Sequence, residues 1–178
     1  SLLRAGDHMI SSSFLFGNTN SLFNTFNTNG VDIDFVDASS VDAVIQAVTE
    51  KTKLVFVETI ANPRTQISDL QAIGDLCAEK GLVYIVDNTM TSPYVFQPIE
   101  VGASLIVNSL TKYIGGHGTS IGGIIIDGGN FDWTAKPAQQ PHFNQPDGSY
   151  HGAVWGTLVP EALGAPIAYI LSLIHISE

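Results

Sequence analysis

This chain has one cysteine, seven lysines and arginines in total, and no apolar run near the ~18 residues that a membrane span needs. A lone thiol, Cys77, cannot close an internal disulfide, which excludes a cystine-stapled scaffold. Seven cations against 17 acids leave a formal charge of −10, so no clustered basic face is available for nucleic acid. No membrane partner is expected either. The five histidines are scattered without ligand spacing, and no metal is expected. Gly115-Gly116-His117-Gly118 lacks the Gly-Lys-Ser/Thr ending of a phosphate loop, and no Gly-x-Gly-x-x-Gly follows a strand. Ser11-Ser12-Ser13 lacks the glycine-flanked elbow of a serine hydrolase. There is no internal repeat and no low-complexity segment. The missing cysteine framework and missing signal peptide together favour a cytoplasmic protein.

What is present describes a globular α/β chain. Hydrophobic content of 44% over 178 residues supports one sizeable core. His8–Ser12 is expected as a strand and 18–27 as a helix with an Asn or Thr cap, because Leu22, Phe23 and Phe26 recur at helical spacing. Residues 31–36 alternate like a half-buried strand. Residues 40–49 follow a Ser cap with Val41, Val44, Ile45 and Val48 on one stripe. Strands are expected over 53–57, 82–86, 103–107 and 121–126, the last three buried and parallel, and a helix over 69–80 closed by Gly81. Cys77 falls on the apolar side of that helix and is read as a buried small hydrophobe. Alternating strands and helices predict a mostly parallel sheet with helices on both faces. Residues 130–156 are expected to be a long irregular segment, which compact domains usually keep for function.

Among the five lysines, Lys51, Lys53, Lys80 and Lys136 are most simply solvated. Lys112 differs. It follows the apolar run Ala103-Ser104-Leu105-Ile106-Val107 and lies among Ser109, Thr111, Gly115 and Gly116. Strand ends are where α/β proteins build their sites. A lysine there, beside hydroxyls able to bind phosphate, suits a Schiff-base nucleophile. The bland alternative is a loop lysine capping carbonyls, and spacing alone leaves both open. Asp87 closes the run Val83-Tyr84-Ile85-Val86 and could accept a proton from a ring nitrogen. Its alternative is an Asx turn built with Asn88. A lysine and an acid at two strand ends are what pyridoxal phosphate requires. Glu58 and Asn62 also fall at a strand end, in a stretch whose Asn-Pro is an ordinary turn signal. His117 and His151 are expected to be hydrogen-bonded structural residues.

Together, Glu58-Thr59-Ile60-Ala61-Asn62-Pro63, Val86-Asp87-Asn88-Thr89, Pro93, Gly102-Ala103 and Ser109-Leu110-Thr111-Lys112-Tyr113-Ile114-Gly115-Gly116-His117-Gly118 resemble the Cys/Met-metabolism family of fold-type I pyridoxal-phosphate enzymes. Gly128-Gly129-Asn130-Phe131-Asp132-Trp133 and Pro146-Asp147-Gly148-Ser149-Tyr150-His151-Gly152 are closer to its O-acetylhomoserine sulfhydrylase branch than to the cystathionine branches. The resemblance runs from about Leu2 to Ile170. It implies that Lys112 holds pyridoxal 5'-phosphate and moves protons, and that Asp87 keeps the ring nitrogen protonated. Ser109 and Thr111 would bind the phosphate, Asn62 would lie near the ring hydroxyl, and Thr89 would lie beside the ring. Phe16 stands where the family has a tyrosine that stacks on the cofactor; an aromatic face is kept and a phenolic proton is lost. Asn108 stands where many relatives carry histidine.

The implied activity is γ-replacement on O-acetylhomoserine with sulfide or a thiol, giving acetate and homocysteine or methionine. The alternatives are a cystathionine γ-synthase or γ-lyase, or an inactive cofactor-binding fragment. Fold-type I sites lie at subunit interfaces, so a homo-oligomeric parent, dimer or tetramer, is implied. The start at Ser1 without Met suggests an internal fragment of a longer protein. Residues 1–170 are expected to be part of the cofactor-binding large domain, and 171–178 a non-native tail. The family's upstream glycine loop, its neighbouring-subunit phosphate ligands and its downstream carboxylate-binding arginine are all absent, so the isolated fragment is expected to be inactive.

Overall fold

The computed structural model describes residues 2–158, so the expected tail at 171–178 lies outside the described residues. The chain divides into two compact units, one over Leu3–Gly128 and one from Gly129 onward, and each is taken by itself.

The first unit runs β1 (His8–Ser12), α1 (Gly17–Thr28), β2 (Asp32–Val36), α2 (Val41–Ala47), β3 (Thr52–Glu58), α3 (Leu70–Lys80), β4 (Val83–Asp87), α4 (Ser92–Val95), β5 (Leu105–Ser109) and β6 (Gly123–Asp127). The six strands lie in the order β2-β1-β3-β4-β5-β6. The β1–β2, β1–β3, β3–β4 and β4–β5 pairings are all parallel. The order reverses between β1 and β3, and ligands in such sheets bind outside the carboxyl ends at that point.

Alternation along β3 shows why helices cover both faces. Val55 and Val57 join Val44 of α2 and Ile73, Leu76 and Cys77 of α3 in one buried cluster. Phe56 points the other way and meets Phe23 of α1 edge-on, with ring centroids 5.0 Å apart. The buried Cys77 thiol is pushed up to about 12 by burial, which makes it an inert core group. Ser40 caps α2 as expected, accepting from the Asp42 N–H. Gly81 closes α3 in the left-handed conformation.

Four local expectations need correction. The N-cap of α1 is Phe16, with no side-chain cap, where an Asn or Thr was expected. Lys53 is not fully solvated: its side chain is 13% exposed and its ammonium lies 3.9 Å from Asp7. His117 is exposed, with no structural hydrogen bond among the described residues. Lastly, β6 is neither buried nor parallel. It runs antiparallel to β5 and exposes Ile124, Ile125 and Ile126. The Leu110 N–H donates to the Gly122 carbonyl at 2.9 Å, so the chain returns directly as a hairpin. A parallel partner would need a crossover, usually through a helix.

Gly74 shows the tightest helix contact in this unit. A Cβ added there would lie 1.9 Å from the Val101 carbonyl oxygen. That oxygen belongs to backbone, which cannot swing aside. Gly74→Ala is therefore expected to cost about 1–3 kcal/mol or more, measured by urea denaturation of the full-length protein.

In the second unit, the expected irregular segment proves ordered around aromatics. Trp133 packs against Phe131 and Phe143, with centroids 4.6 Å and 4.9 Å away. Asn144 donates to the Trp133 carbonyl at 2.9 Å. Asp147 accepts from the Trp155 indole at 3.0 Å and from the Ser149 N–H at 2.8 Å. Pro and Gln hid this packing, because aromatic contacts across a loop have no sequence period.

Candidate active site

The carboxyl ends of β3, β4 and β5 reach one cavity of about 610 Å³. Phe16, the residue that precedes α1 in the β1–α1 connection, forms part of its lining. Glu58 ends β3, Asp87 ends β4 and Ser109 ends β5. Asn62, Thr89, Thr111 and Lys112 complete the set read from the sequence. Residues spread over almost a hundred positions meet because parallel strands deliver all their carboxyl ends to the same edge.

Lys112 sits in a five-residue π-type turn, Leu110–Ile114, and is exposed on the cavity wall. Its own backbone (φ −96°, ψ −123°) departs from helical values. The turn is closed by the Gly115 N–H on the Leu110 carbonyl and the Gly116 N–H on the Lys112 carbonyl, both at 2.8 Å. A Cβ on Gly115 would lie 2.4 Å from the Leu110 oxygen, so glycine is required there. The glycines after Lys112 thus shape the turn that presents the amine.

Asp87 forms the Asx turn that was one of the two readings of its position. Its Oδ1 accepts from the Thr89 N–H at 2.9 Å, which is an Asx turn. Its Oδ2 makes no hydrogen bond among the described residues and belongs to a cavity-lining side chain. Asn88 locks this geometry from behind. Fully buried, it accepts from Thr59 Oγ1 at 2.8 Å and from Thr91 Oγ1, and it donates to the Phe96 carbonyl at 2.8 Å.

The two phosphate candidates differ. The Thr111 hydroxyl is engaged within the turn: it donates to the Gly122 carbonyl at 3.2 Å and accepts from the Gly122 N–H at 3.0 Å. The Ser109 hydroxyl has no hydrogen-bond partner among the described residues. Instead, the Ser109 main-chain N–H donates to Thr89 Oγ1 at 2.8 Å, which ties the end of β5 to the end of β4. Asn108, on the opposite face of β5, is 3% exposed, and its amide has no partner among the described residues. Nothing in the structure explains that substitution.

The sequence places Glu58 at a strand end but assigns it no role. Its carboxylate is 5% exposed and accepts from the Phe16 N–H at 2.7 Å and the Asn62 N–H at 3.2 Å. Burial lifts it above the ordinary carboxylate range; the two N–H donors oppose this, and the charge of Asp87 adds to it. Because the folded state keeps this proton to higher pH than the unfolded chain, ionisation of Glu58 costs stability as pH rises through that window. The available signal was the one used for Asp87, an acid closing a buried strand.

Among the described residues, no group of His, Cys, Asp and Glu could hold a metal, and no helix is long and apolar enough to cross a membrane. The model of the Cys/Met metabolism PLP-dependent enzymes matches residues 1–164. An O-acetyl-L-homoserine sulfhydrylase of Leptospira meyeri is 42% identical over 96% of this chain, and the chain spans 39% of that relative. A Campylobacter jejuni structure, assigned as an O-acetylhomoserine (thiol)-lyase, carries a pyridoxyl-lysine monophosphate. It superposes with a TM-score of 0.81 at 31% identity, over 88% of this chain and 39% of its own. An O-acetylhomoserine sulfhydrylase structure from Wolinella succinogenes is 43% identical with a TM-score of 0.70, over 79% of this chain and 40% of its own. A mostly parallel sheet whose carboxyl ends gather a lysine, an acid and a hydroxyl in one cavity, together with a match over nearly the whole chain, places this chain in the Cys/Met metabolism family of PLP-dependent enzymes.

Proposed function

We propose that the protein containing this chain exchanges the acetate of O-acetylhomoserine for sulfide or a thiol, giving homocysteine or methionine. The observation that carries this reading is the meeting of Lys112, Asp87 and Ser109 in one cavity, within a chain 42% identical to a sulfhydrylase. The net exchange breaks the Cγ–O bond to acetate and forms a Cγ–S bond.

The residues present fit pyridoxal 5'-phosphate. The cavity offers an amine, a carboxylate oxygen and a hydroxyl that have no hydrogen-bond partner among the described residues, and an aromatic face at Phe16, which is 42% exposed. When bound, this cofactor supplies an electron sink that stabilises negative charge on the substrate carbon. Lys112 would hold it through its ε-amino group and then carry protons at the substrate Cα and Cβ. Asp87 Oδ2 would hold a proton on the ring nitrogen. Ser109 would bind the phosphate, and Thr111 would contribute through the turn that it fixes with Gly122. Thr89 would set the distance between the phosphate end and the ring-nitrogen end by its bond to Ser109. Asn62 would meet the ring hydroxyl, and Phe16 would pack on the ring face.

Partners follow from the same reading: a small amino-acid substrate, sulfide or a thiol, and further copies of the chain in a dimer or tetramer. The exposed Tyr113, Ile114 and Ile121 around the Lys112 turn support an oligomer. A cytoplasmic location and a place in transsulfuration belong to this reading too. The test is product analysis of the full-length protein with O-acetylhomoserine and either sulfide or cysteine. Homocysteine and acetate are expected in equal amounts with sulfide. Turnover with cysteine alone would replace this reading by the cystathionine-type alternative.

A further inference from the structure

Glu58 ends β3 beside Asp87, its register partner at the end of β4. The two carboxylates do different work. Asp87 gives one oxygen to its own turn, whereas both Glu58 oxygens go to other segments. Oε1 accepts the N–H of Phe16 at the start of α1, and Oε2 accepts the N–H of Asn62 after β3. A buried ionised acid is costly unless hydrogen-bonded, so the two main-chain donors and the carboxylate hold one another. The segments joined this way carry the aromatic wall and the side-chain amide of the cavity.

We propose that Glu58 is a positioning residue of the cofactor site, one carboxylate that fixes the spacing between the Phe16 ring and the Asn62 amide. The inference rests on the reading of the cavity as the pyridoxal-phosphate site. An amide cannot receive both N–H groups, because its nitrogen only donates, and a protonated carboxyl receives one of them through the weaker acceptor of its hydroxyl oxygen. The spacing therefore depends on the ionisation of Glu58. The other titratable side chains on this cavity are Asp87 from β4 and Lys112 and Tyr113 from the turn after β5; α1 presents none.

The experiment compares Glu58→Gln and Glu58→Ala with the wild-type full-length protein, using pyridoxal phosphate itself as the probe. Far-ultraviolet circular dichroism checks the fold. Equilibrium dialysis gives cofactor affinity, and the visible circular dichroism of the bound cofactor reports the environment of its ring. Loss of one charge-assisted bond is expected to weaken retention about tenfold in E58Q, and more in E58A. The wild-type visible dichroism should fall as pH drops through the raised Glu58 range, and this step should be missing in E58Q. A folded E58Q with wild-type affinity and an unchanged pH step overturns the Glu58 role, whatever E58A does. Wild-type protein that does not bind pyridoxal phosphate overturns the cavity reading, and the Glu58 role with it. The two failures are thus told apart.

Discussion

Lys112→Ala in the full-length protein is expected to lower kcat by at least about 10²–10⁴-fold, the usual contribution of a positioned proton carrier. It should also remove the visible absorbance of lysine-linked cofactor. The substitution deletes a side chain exposed on a cavity wall, and the turn beneath it is held by main-chain bonds from Gly115 and Gly116. The fold and the thermal midpoint should therefore stay close to wild type. That separation makes the result diagnostic. A variant that keeps the absorbance and turns over normally would return Lys112 to the plain alternative, a loop lysine near carbonyls. Added primary amines offer a further check, since a small amine diffusing into the vacated space would restore part of the proton transfer.

Asp87→Asn carries the second large effect. Asparagine keeps an oxygen for the Thr89 N–H, so the turn measured at 2.9 Å survives and only the charge is removed. Without that charge, a proton on the ring nitrogen lacks its partner. Removing one member of a buried charged pair costs about 3–5 kcal/mol. The corresponding fall in kcat/KM is roughly 10²–10⁴-fold. Asp87 is only half-buried, which places the expectation toward the lower end. Steady-state kinetics with O-acetylhomoserine and sulfide, alongside a thermal melt, give the answer. A melt shifted as much as the rate would mean that Asp87 acts mainly through the turn with Thr89 and Asn88.

Most of the sheet was legible because burial leaves a local mark. β3 and β4 are runs of apolar, often β-branched residues between polar ends, and Ser40 and Gly81 mark helix ends by chemistry that works within a few residues. Lys112, Asp87 and Ser109 were legible for the same reason, since each follows such a run. The edge strand β6 was misread because an apolar pentapeptide carries no sign of its direction. Direction depended on the Leu110–Gly122 contact, which forms only when the turn folds.

Hydrogen bonds between distant segments account for what stayed hidden. Glu58 looked like one acid in a turn-rich stretch, and its two partners lie 42 residues before it and 4 after it. Thr111 carries a hydroxyl that spacing leaves unassigned, and the fold sets it against both polar groups of the Gly122 backbone. Thr89 proved to be a tie between β4 and β5. By itself the sequence determined the α/β class, the family resemblance and the lysine–acid pair, because these rest on local periodicity and on residues in fixed order. Only the tertiary structure decided which oxygen atoms are already occupied and which face the cavity. A side chain spends its lone pairs on whatever the fold brings within about 3 Å, and no linear spacing records that choice.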